Sequence, residues 1–520
     1  MSDRTLTIGS RVVGPGRPVY FIAEAGSNHN RDLATALRLV DAAVDAGADA
    51  VKFQTFRADA LYPRNAGVSK YLATQKSIHE IIRELEMPLE WIPELAAYCR
   101  DKGVDFLSTP FDEASADALD PYVPCFKIAS YEMTHHTLVQ HCARKGKPVI
   151  MSTGTATLDE VREAVGAVRA VGGEDLVILQ CTAKYPAPLS TLNLNTLLTF
   201  ARELDVPVGL SDHSREPLPG PLAAVALGAC VIEKHFTLSN RLPGPDHAYA
   251  LEPGELAQVI RKVREVEQTL GTGIKAPAPE EMELRAFARR SLFTTADVAA
   301  GQRLGASNLA ALRAGELPYG IHPRELVRTF GRAAKRSLPA GTTVRPEDLD
   351  ELHLSRGDVS LRPLAASDAD DVVRWRNRPD VLGELFASTA PTRASHDAWF
   401  ATLQRRTDRV ELIVLLDNRA VGTIGLSQID LGARVAEYGV LIGEESARGR
   451  GVAHTASELL IQLAFEHFGL ARLELELFAD NARARALYTR LGFTHTRDLP
   501  AREKDGRMRP VELMTLERPA

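Results

Sequence analysis

The sequence predicts an α/β chain in three parts: a (β/α)8 barrel over residues 1–285, a small β-rich module over 286–355 and an α+β domain over 356–520. Three observations predict it. Short apolar runs alternate with helix-like segments eight times in the first half. AGQRLGASNLAALR at 300–313 is echoed by AGTTVRPEDLDELH at 340–353. A fresh strand-then-helix pattern opens at DVSLRPLAASDADDVVRWRN (358–377).

The eight runs are VYFIAEAG (19–26), AVKFQ (50–54), DFLSTP (105–110), CFKIAS (125–130), PVIMSTG (148–154), LVILQCT (176–182), VPVGLSD (206–212) and CVIEKHF (230–236). Apolar runs of this length, bounded by Pro, Gly and polar residues, read as buried strands. LATALRLVDAAVDAG and LDEVREAVGAVRAVG, between them, carry helical spacing, and Lys76 to Lys102 reads as the longest helical stretch. Eight strand–helix units suit a closed barrel; an open doubly wound sheet is the alternative.

Polar residues end every run: Glu24, Lys52 with Gln54, Ser108 with Thr109, Lys127 with Ser130, Ser152 with Thr153, Thr182 followed by Tyr185, Asp212 with His213, and Glu233 with His235. In a barrel the C-terminal strand ends line the mouth that holds the active site. His213 and His235 end neighbouring strands, so both imidazoles fall at one rim. Two neutral imidazoles with carboxylates nearby suit a divalent ion that keeps water or substrate oxygens. The alternative is two histidines that only satisfy hydrogen bonds at strand ends. Lys52 and Lys127 among hydroxyls suit an anion carrying phosphate and carboxylate. Their alternative is an internal salt bridge with Glu24 or Glu132.

Bulk properties narrow the class. Hydrophobic residues make up 45% and charged residues 25%, with a net charge of −6, so no basic field for nucleic acid is expected. No apolar run is long enough for a membrane span, and the N-terminus lacks a signal-peptide pattern. Five scattered cysteines with no CxxC pair fit a reducing cytoplasm.

The motifs AEAGSNHN (23–30), VKFQT (51–55), STPFD (108–112), FKIASYE (126–132), STGTAT (152–157), CTAKYPAP (181–188), GLSDHS (209–214), EKHFTL (233–238) and GPDHAYALEP (244–253), in that order, resemble the nonulosonic acid synthases. These are the sialic, legionaminic and pseudaminic acid synthases and their spore-coat relatives. The resemblance covers nearly all of residues 1–285. It implies a TIM barrel that condenses phosphoenolpyruvate with the aldehyde of an amino-hexose, using Mn2+ or Mg2+. On that reading His213 and His235 hold the metal. Glu24 is the acid/base, and Lys52, Thr109, Lys127, Ser130, Ser152 and Ser211 bind substrate. Tyr185 and Asp246 contact the sugar. Ala183 stands where some relatives carry Asn, which leaves the sugar open. A metal-dependent hydrolase using the same histidines and Asp212 is the rival.

The repeat at 300–313 and 340–353 argues for a pseudo-symmetric β module. It resembles the antifreeze-like (SAF) domain that follows the barrel in those synthases. The resemblance implies a homodimer in which Arg313 reaches the partner's substrate; its surroundings, RAGELPYGIHP, depart from the usual Arg-Pro-Gly.

In the last part, two strands flank Asp-Asn-Arg in ELIVLLDNRAVGTIGLSQID (411–430), a hairpin signal. A strand, the turn Arg448-Gly449-Arg450-Gly451-Val452-Ala453 and a long amphipathic helix follow. Small residues at a helix N-terminus let backbone N–H groups approach a pyrophosphate. With LELELFADNARARALYTRLGF (473–493), the set resembles the Gcn5-related N-acetyltransferases (GNAT) over about 357–517. This implies acetyl-coenzyme A at Arg448, Gly449, Arg450, Gly451 and Ala453, with Val440, Ile442 and Asn481 beside it. It implies Tyr488 as proton donor to the leaving thiolate and Glu437 as an acceptor of the amine proton through water. Trp375-Arg376-Asn377, with His396 and Trp399, resembles the branch that acetylates 4-amino sugars. A coenzyme-free binding or dimerisation module is the alternative.

Overall fold

The computed structural model describes residues 4–68, 76–387 and 389–519. Its contacts divide the chain into two compact units, Met1–Lys275 and Ala276–Ala520. The Pro-rich APAPEE segment therefore goes with the second unit, ten residues before the boundary expected from the sequence.

In the first unit all eight expected strands form: β1 (Tyr20–Gly26), β2 (Ala50–Thr55), β3 (Asp105–Pro110), β4 (Phe126–Ile128), β5 (Val149–Ser152), β6 (Leu176–Cys181), β7 (Val208–Asp212) and β8 (Val231–His235). They make one sheet in the order β3-β2-β1-β8-β7-β6-β5-β4. Every ladder in it is parallel. The first strand therefore pairs with the eighth, and β3 and β4 lie side by side at the seam. A doubly wound sheet would reverse its order at a switch point instead.

Alternation along each strand sorts the side chains. Phe21, Ala23, Val51, Phe53, Ile178, Leu210 and Ile232 face the outer helices. Tyr20, Ile22, Ala50, Leu107, Ile150, Val177 and Val231 fill the axis, together with Leu6, Ile8 and Val13. The last three come from an N-terminal hairpin, Leu6–Ile8 with Arg11–Val13. The axial core thus plugs the barrel below the mouth. Gly209 is needed where β7 meets its neighbours, because a Cβ there would lie 2.3 Å from the Val231 carbonyl oxygen.

The expected long helix over 76–102 is instead two, Ile78–Leu85 and Trp91–Lys102. Pro88 follows Met87 at the break, and a residue before proline is pushed out of the helical region. Pro253–Leu270 is the longest helix among the described residues.

In the second unit β9 (Arg290–Thr294) pairs with β10 (Leu309–Arg313). The duplication holds at a 40-residue offset. Val298 and Leu338, equivalent in the two copies, bond to each other's backbone at 2.8 Å in both directions. Gly301 and Gly341, also equivalent, share φ of 81°. An eight-stranded sheet follows: β11 (Leu354–Arg356), β12 (Val359–Pro363), β13 (Val410–Leu416), β14 (Arg419–Asp430), β15 (Val435–Ile442), β16 (Arg472–Phe478), β17 (Thr494–Lys504) and β18 (Arg507–Glu517). Asp417 and Asn418, with φ of 50° and 63°, make the hairpin turn between β13 and β14.

The duplicated module and the sheet domain share one hydrophobic core, in which Leu304, Phe330 and Leu349 join Leu412, Leu460 and Leu463. Helix Val452–Gln462 runs on as a π-helical turn, Leu463–His467, against the module. There Phe468 meets Phe330 edge-on at 5.2 Å, and Ala306 N–H donates to the His467 carbonyl at 2.8 Å.

Candidate active site

Strand alternation turns Glu24, Lys52, Thr109, Lys127, Ser152, Ser211, Glu233 and His235 toward the barrel axis, one level above the apolar plug. Lys52 Nζ lies 2.7 Å from Glu24 Oε2 and 3.6 Å from Glu233 Oε1, and donates to Thr109 Oγ1 at 3.0 Å. Lys127 Nζ donates to Ser152 Oγ at 2.7 Å and lies 3.7 Å from Glu233 Oε2. Glu233 thus bridges the two ammonium groups and also accepts from Ser211 Oγ at 3.2 Å.

Both lysines expected to hold an anion stand in ion pairs in this structure. The internal salt bridge holds for Lys52 with Glu24, and Lys127 pairs with Glu233 rather than Glu132. Lys52 and Lys127 are 3% and 2% exposed, and an ammonium that dry needs a counter-charge. Burial works against the charge on Lys52, but Glu233 and Glu24 outweigh it and hold its pKa above the ordinary lysine value. Burial pushes Glu24 up to about 7, against the pull of Lys52. Gln54 Nε2 donates to Glu24 Oε1 at 2.8 Å and orients it.

Opposite stand the imidazoles. The β7–β8 register sets Asp212 beside Lys234, hence His213 beside His235. Their ring centroids are 5.3 Å apart. His213 Nδ1 bonds the Thr182 carbonyl at 3.0 Å, which makes it the N–H donor and frees Nε2 as a lone-pair site. His235 Nδ1 is buried with no partner. Burial, then the nearby cations, hold His235 well below its usual pKa, so it stays neutral. Hydrogen-bond satisfaction accounts for one face of His213 and for none of His235. The pair fits a divalent ion. Among the described residues no third His, Cys, Asp or Glu joins them. Remaining positions on an ion would fall to water or substrate oxygens.

Tyr185 lies 4.3 Å from the His213 ring and 5.4 Å from Tyr249. Asp246, whose pKa burial raises, bonds Tyr249 and sits by Gly26. Ser130 Oγ accepts Gly154 N–H at 2.9 Å and donates to Cys181 Sγ at 3.4 Å, so it braces two loops. Tyr249 and the bridging role of Glu233 escaped the sequence reading. A loop tyrosine carries no periodicity, while Glu233 shows its inward position by its parity with His235.

Asp212, the carboxylate a hydrolase would need, points to the helix layer. It pairs with Lys234 at 2.6 Å and accepts Ser214 N–H at 2.8 Å. Glu132 is 8% exposed, its Oε2 has no partner, and burial pushes its pKa up to about 7. A carboxyl raised on folding contributes stability below its unfolded pKa that is lost as pH rises through its folded one. Glu132→Gln should therefore raise stability at pH 8, by at most about 3 kcal/mol, and change little at pH 4. Thermal melts at the two pH values check this; an equal shift at both would refute it.

The second unit holds a separate cleft of about 600 Å3. The parallel ladder between β15 and β16 stops at Glu437 opposite Glu474, and the strands then splay. Val440, Ile442, Arg448, Gly449, Gly451 and Ala453 line the opening, as do Asn481 and Tyr488. Gly449 and Gly451 have φ of 74° and 81°, which small glycines allow, and Gly451 caps the helix that follows. Arg450 does not line the cleft; it lies 4.0 Å from Asp358. The Arg448 guanidinium is tied to the Ile442 carbonyl and Asp380, and Asn481 Oδ1 caps its own helix at Ala484 N–H. Burial pushes Tyr488 up to about 12, keeping its proton on. Glu437 accepts from Ser427 at 3.0 Å and Gln428 at 2.7 Å. Arg313 lies exposed at the end of β10.

A closed parallel barrel with a bridged lysine pair facing two imidazoles, followed by a duplicated β module, defines the class: a TIM-barrel enzyme with a SAF domain, extended by a GNAT-like sheet. The models of the NeuB family, the SAF domain and the GNAT acetyltransferase domain match residues 39–275, 289–350 and 358–494. A spore coat polysaccharide biosynthesis protein of Bacillus subtilis is 44% identical over 66% of this chain and 96% of its own length. The N,N'-diacetyllegionaminic acid synthase of Legionella pneumophila is 40% identical over 66% and 98%. A crystal structure of a spore coat polysaccharide biosynthesis protein E from Chromobacterium violaceum superposes with a TM-score of 0.54 at 27% identity, over 64% of this chain and 99% of that one. The chain belongs to the NeuB family of nonulosonic acid synthases and also carries a GNAT domain. No helix among the described residues is long and apolar enough to cross a membrane.

Proposed function

We propose that the chain is a bifunctional cytoplasmic enzyme of nonulosonic acid synthesis. Its barrel joins phosphoenolpyruvate to the open-chain aldehyde of an N-acetylated amino-hexose, giving a nine-carbon keto acid and phosphate. The observation that carries this is the buried Glu24–Lys52–Glu233–Lys127 chain facing His213 and His235.

An incoming phosphate and carboxylate compete with Glu24 and Glu233 for the two ammonium groups. As Lys52 turns to the ligand, Glu24 loses its counter-charge, and its pKa, already about 7, rises further. Glu24 then stands protonated beside the reacting carbons. C3 of phosphoenolpyruvate attacks the aldehyde carbon, and Glu24 gives its proton to the aldehyde oxygen. Water adds to C2 and returns a proton to Glu24. The C2–oxygen bond to phosphate breaks as the C2 hydroxyl becomes the ketone and its proton leaves with phosphate. A divalent ion such as Mn2+ on His213 and His235 would polarise the aldehyde oxygen and fix the sugar. Tyr185 and Asp246 face the sugar. Arg313, in a homodimer, would complete the partner's site.

The GNAT domain transfers acetyl from acetyl-coenzyme A to the amine of a sugar precursor. The amine nitrogen attacks the thioester carbon, the carbon–sulfur bond breaks, and Tyr488 gives the thiolate its proton. Glu437, through water, receives the proton from nitrogen.

Supplying phosphoenolpyruvate, Mn2+ and a panel of N-acetylated amino-hexoses should release phosphate with one sugar and yield its keto acid by mass spectrometry. No phosphate with any sugar overturns the synthase reading. Calorimetric titration of acetyl-coenzyme A tests the other half: no heat leaves a binding or dimerisation module. The placement of Asp212 among helix-side residues speaks against a hydrolase.

A further inference from the structure

The SAF module supplies hydrogen-bond donors to the C-terminal ends of two helices of the sheet domain. At the first, Ala306 N–H meets the His467 carbonyl. Gly305 permits that approach, since a Cβ there would stand 2.5 Å from the same oxygen. At the second, Arg328 Nη1 donates to the Gln404 carbonyl at 3.1 Å, and Nη2 to those of Leu403 and, at 3.0 Å, Arg406. Arg328 belongs to the module's short helix Leu326–Thr329, and Glu325 Oε2 accepts from it at 2.9 Å and orients it. No step above uses this arginine.

The receiving helix, Arg393–Leu403, has few other anchors. The last carbonyls of a helix lack partners within it, and a cation there complements the negative end of the helix dipole. Gln404 stays right-handed, with φ −58° and ψ −23°, and none of residues 404–409 has positive φ, so no left-handed cap folds over those carbonyls. Only His396 and Leu403 of the helix are buried, so little apolar contact fixes it. Its start is self-sufficient: Thr392 Oγ1 accepts Ser395 N–H at 3.1 Å, and Ser395 Oγ accepts Thr392 N–H at 2.9 Å. Helix Val452–Gln462 differs, with Val452, Ala456, Leu459 and Leu460 all buried, so the turn at its start rests on the core.

The weakly anchored helix is tied to the sheet face that carries Glu437. The Arg409 guanidinium lies over the Trp399 ring at 5.7 Å, and Arg409 Nε donates to Glu411 at 2.6 Å. Glu411 stands opposite Gly425, and Gly425 opposite Gly439, two residues along β15 from Glu437. All four therefore share one face.

We propose that Arg328 is a positioning residue for acetyl transfer: from the SAF module it holds helix Arg393–Leu403 in place over the Glu437 face, where the amine nitrogen must meet the thioester. The SAF module is then a working part of the acetyltransferase. The proposal rests on the acetyltransferase reading.

The test uses the full chain. In hydrogen exchange, Arg328→Ala should speed the amides of residues 397–406 about tenfold, while those of 452–462 keep their rate. Thiol release is then followed with acetyl-coenzyme A and a panel of amino-hexoses, UDP-linked and free. The KM of the accepted sugar should rise about tenfold in the variant, with kcat little changed. The dissociation constant of acetyl-coenzyme A by calorimetry, and phosphate release by the barrel, should not move. Arg328→Lys, which keeps the charge but reaches fewer carbonyls, should recover part of both losses. Unchanged exchange at 397–406 or faster exchange in both helices would overturn the proposal. So would an acceptor KM that stays level, one that rises only together with the coenzyme constant, or a wild type that binds the coenzyme and acetylates no sugar of the panel. If the wild type does not bind acetyl-coenzyme A, the acetyltransferase reading itself fails, and the exchange of 397–406 still decides whether Arg328 holds the helix.

Discussion

Replacing His235 by alanine is expected to lower phosphate release at least ~10³-fold and to remove tight Mn2+ binding. His235 is the more exposed of the pair to this test in chemical terms: its Nδ1 is buried and unpartnered, so no structural hydrogen bond goes with it. Its ring stands 5.3 Å from His213, and no third protein donor among the described residues can replace it. On the proposed mechanism, losing one of two protein ligands would forfeit the several kcal/mol that an ion would contribute to a developing alkoxide, and each ~1.4 kcal/mol is tenfold in rate. Manganese paramagnetic resonance gives a readout independent of turnover: the free-ion signal should be suppressed by wild type and persist with the variant. Unchanged Mn2+ binding in a folded His235→Ala protein would remove the imidazole pair from the mechanism.

The second large effect is expected for Glu24→Gln, a kcat loss of about 10²–10⁴-fold, the usual yield of a positioned acid or base. The KM for phosphoenolpyruvate should hold or fall. Lys52 currently divides its charge between Glu24 at 2.7 Å and Glu233 at 3.6 Å. Glutamine keeps the shape but withdraws that competition, leaving more positive charge for the ligand. Steady-state kinetics separates the two parameters. A rise in KM at constant kcat would make Glu24 a binding residue only.

Much of this was legible in the sequence because strand alternation is a local signal. Glu233 and His235 share a parity, so both had to face the axis once β8 was recognised, and β7 carried His213 to the same rim. The pairing of the lysines was not legible with confidence in any one partner. Lys127 could reach Glu132 by chain proximity, yet the closed barrel brings Glu233 closer from four strands away. Tyr249 joins the site from a loop after β8, where nothing periodic announces it. The helix Pro253–Leu270 could have been found from its proline at the first turn, in EPGELAQVI. The broken helix before β3 misled because both halves keep apolar spacing across Pro88.

The rod that starts at the Gly449–Gly451 turn finishes with Leu463 wedged over Gly331, where a Cβ would stand 2.3 Å from Leu463 Cδ1. Blocking the proposed acetyl transfer and amputating the domain are therefore different injuries. A point change at Tyr488 leaves the SAF half its upholstery, whereas a chain trimmed at Arg356 strips cover from Leu304 and Phe330 and turns them toward water. In this protein the GNAT domain has become masonry for its neighbour, and its sequence has to satisfy that load whatever its cleft binds.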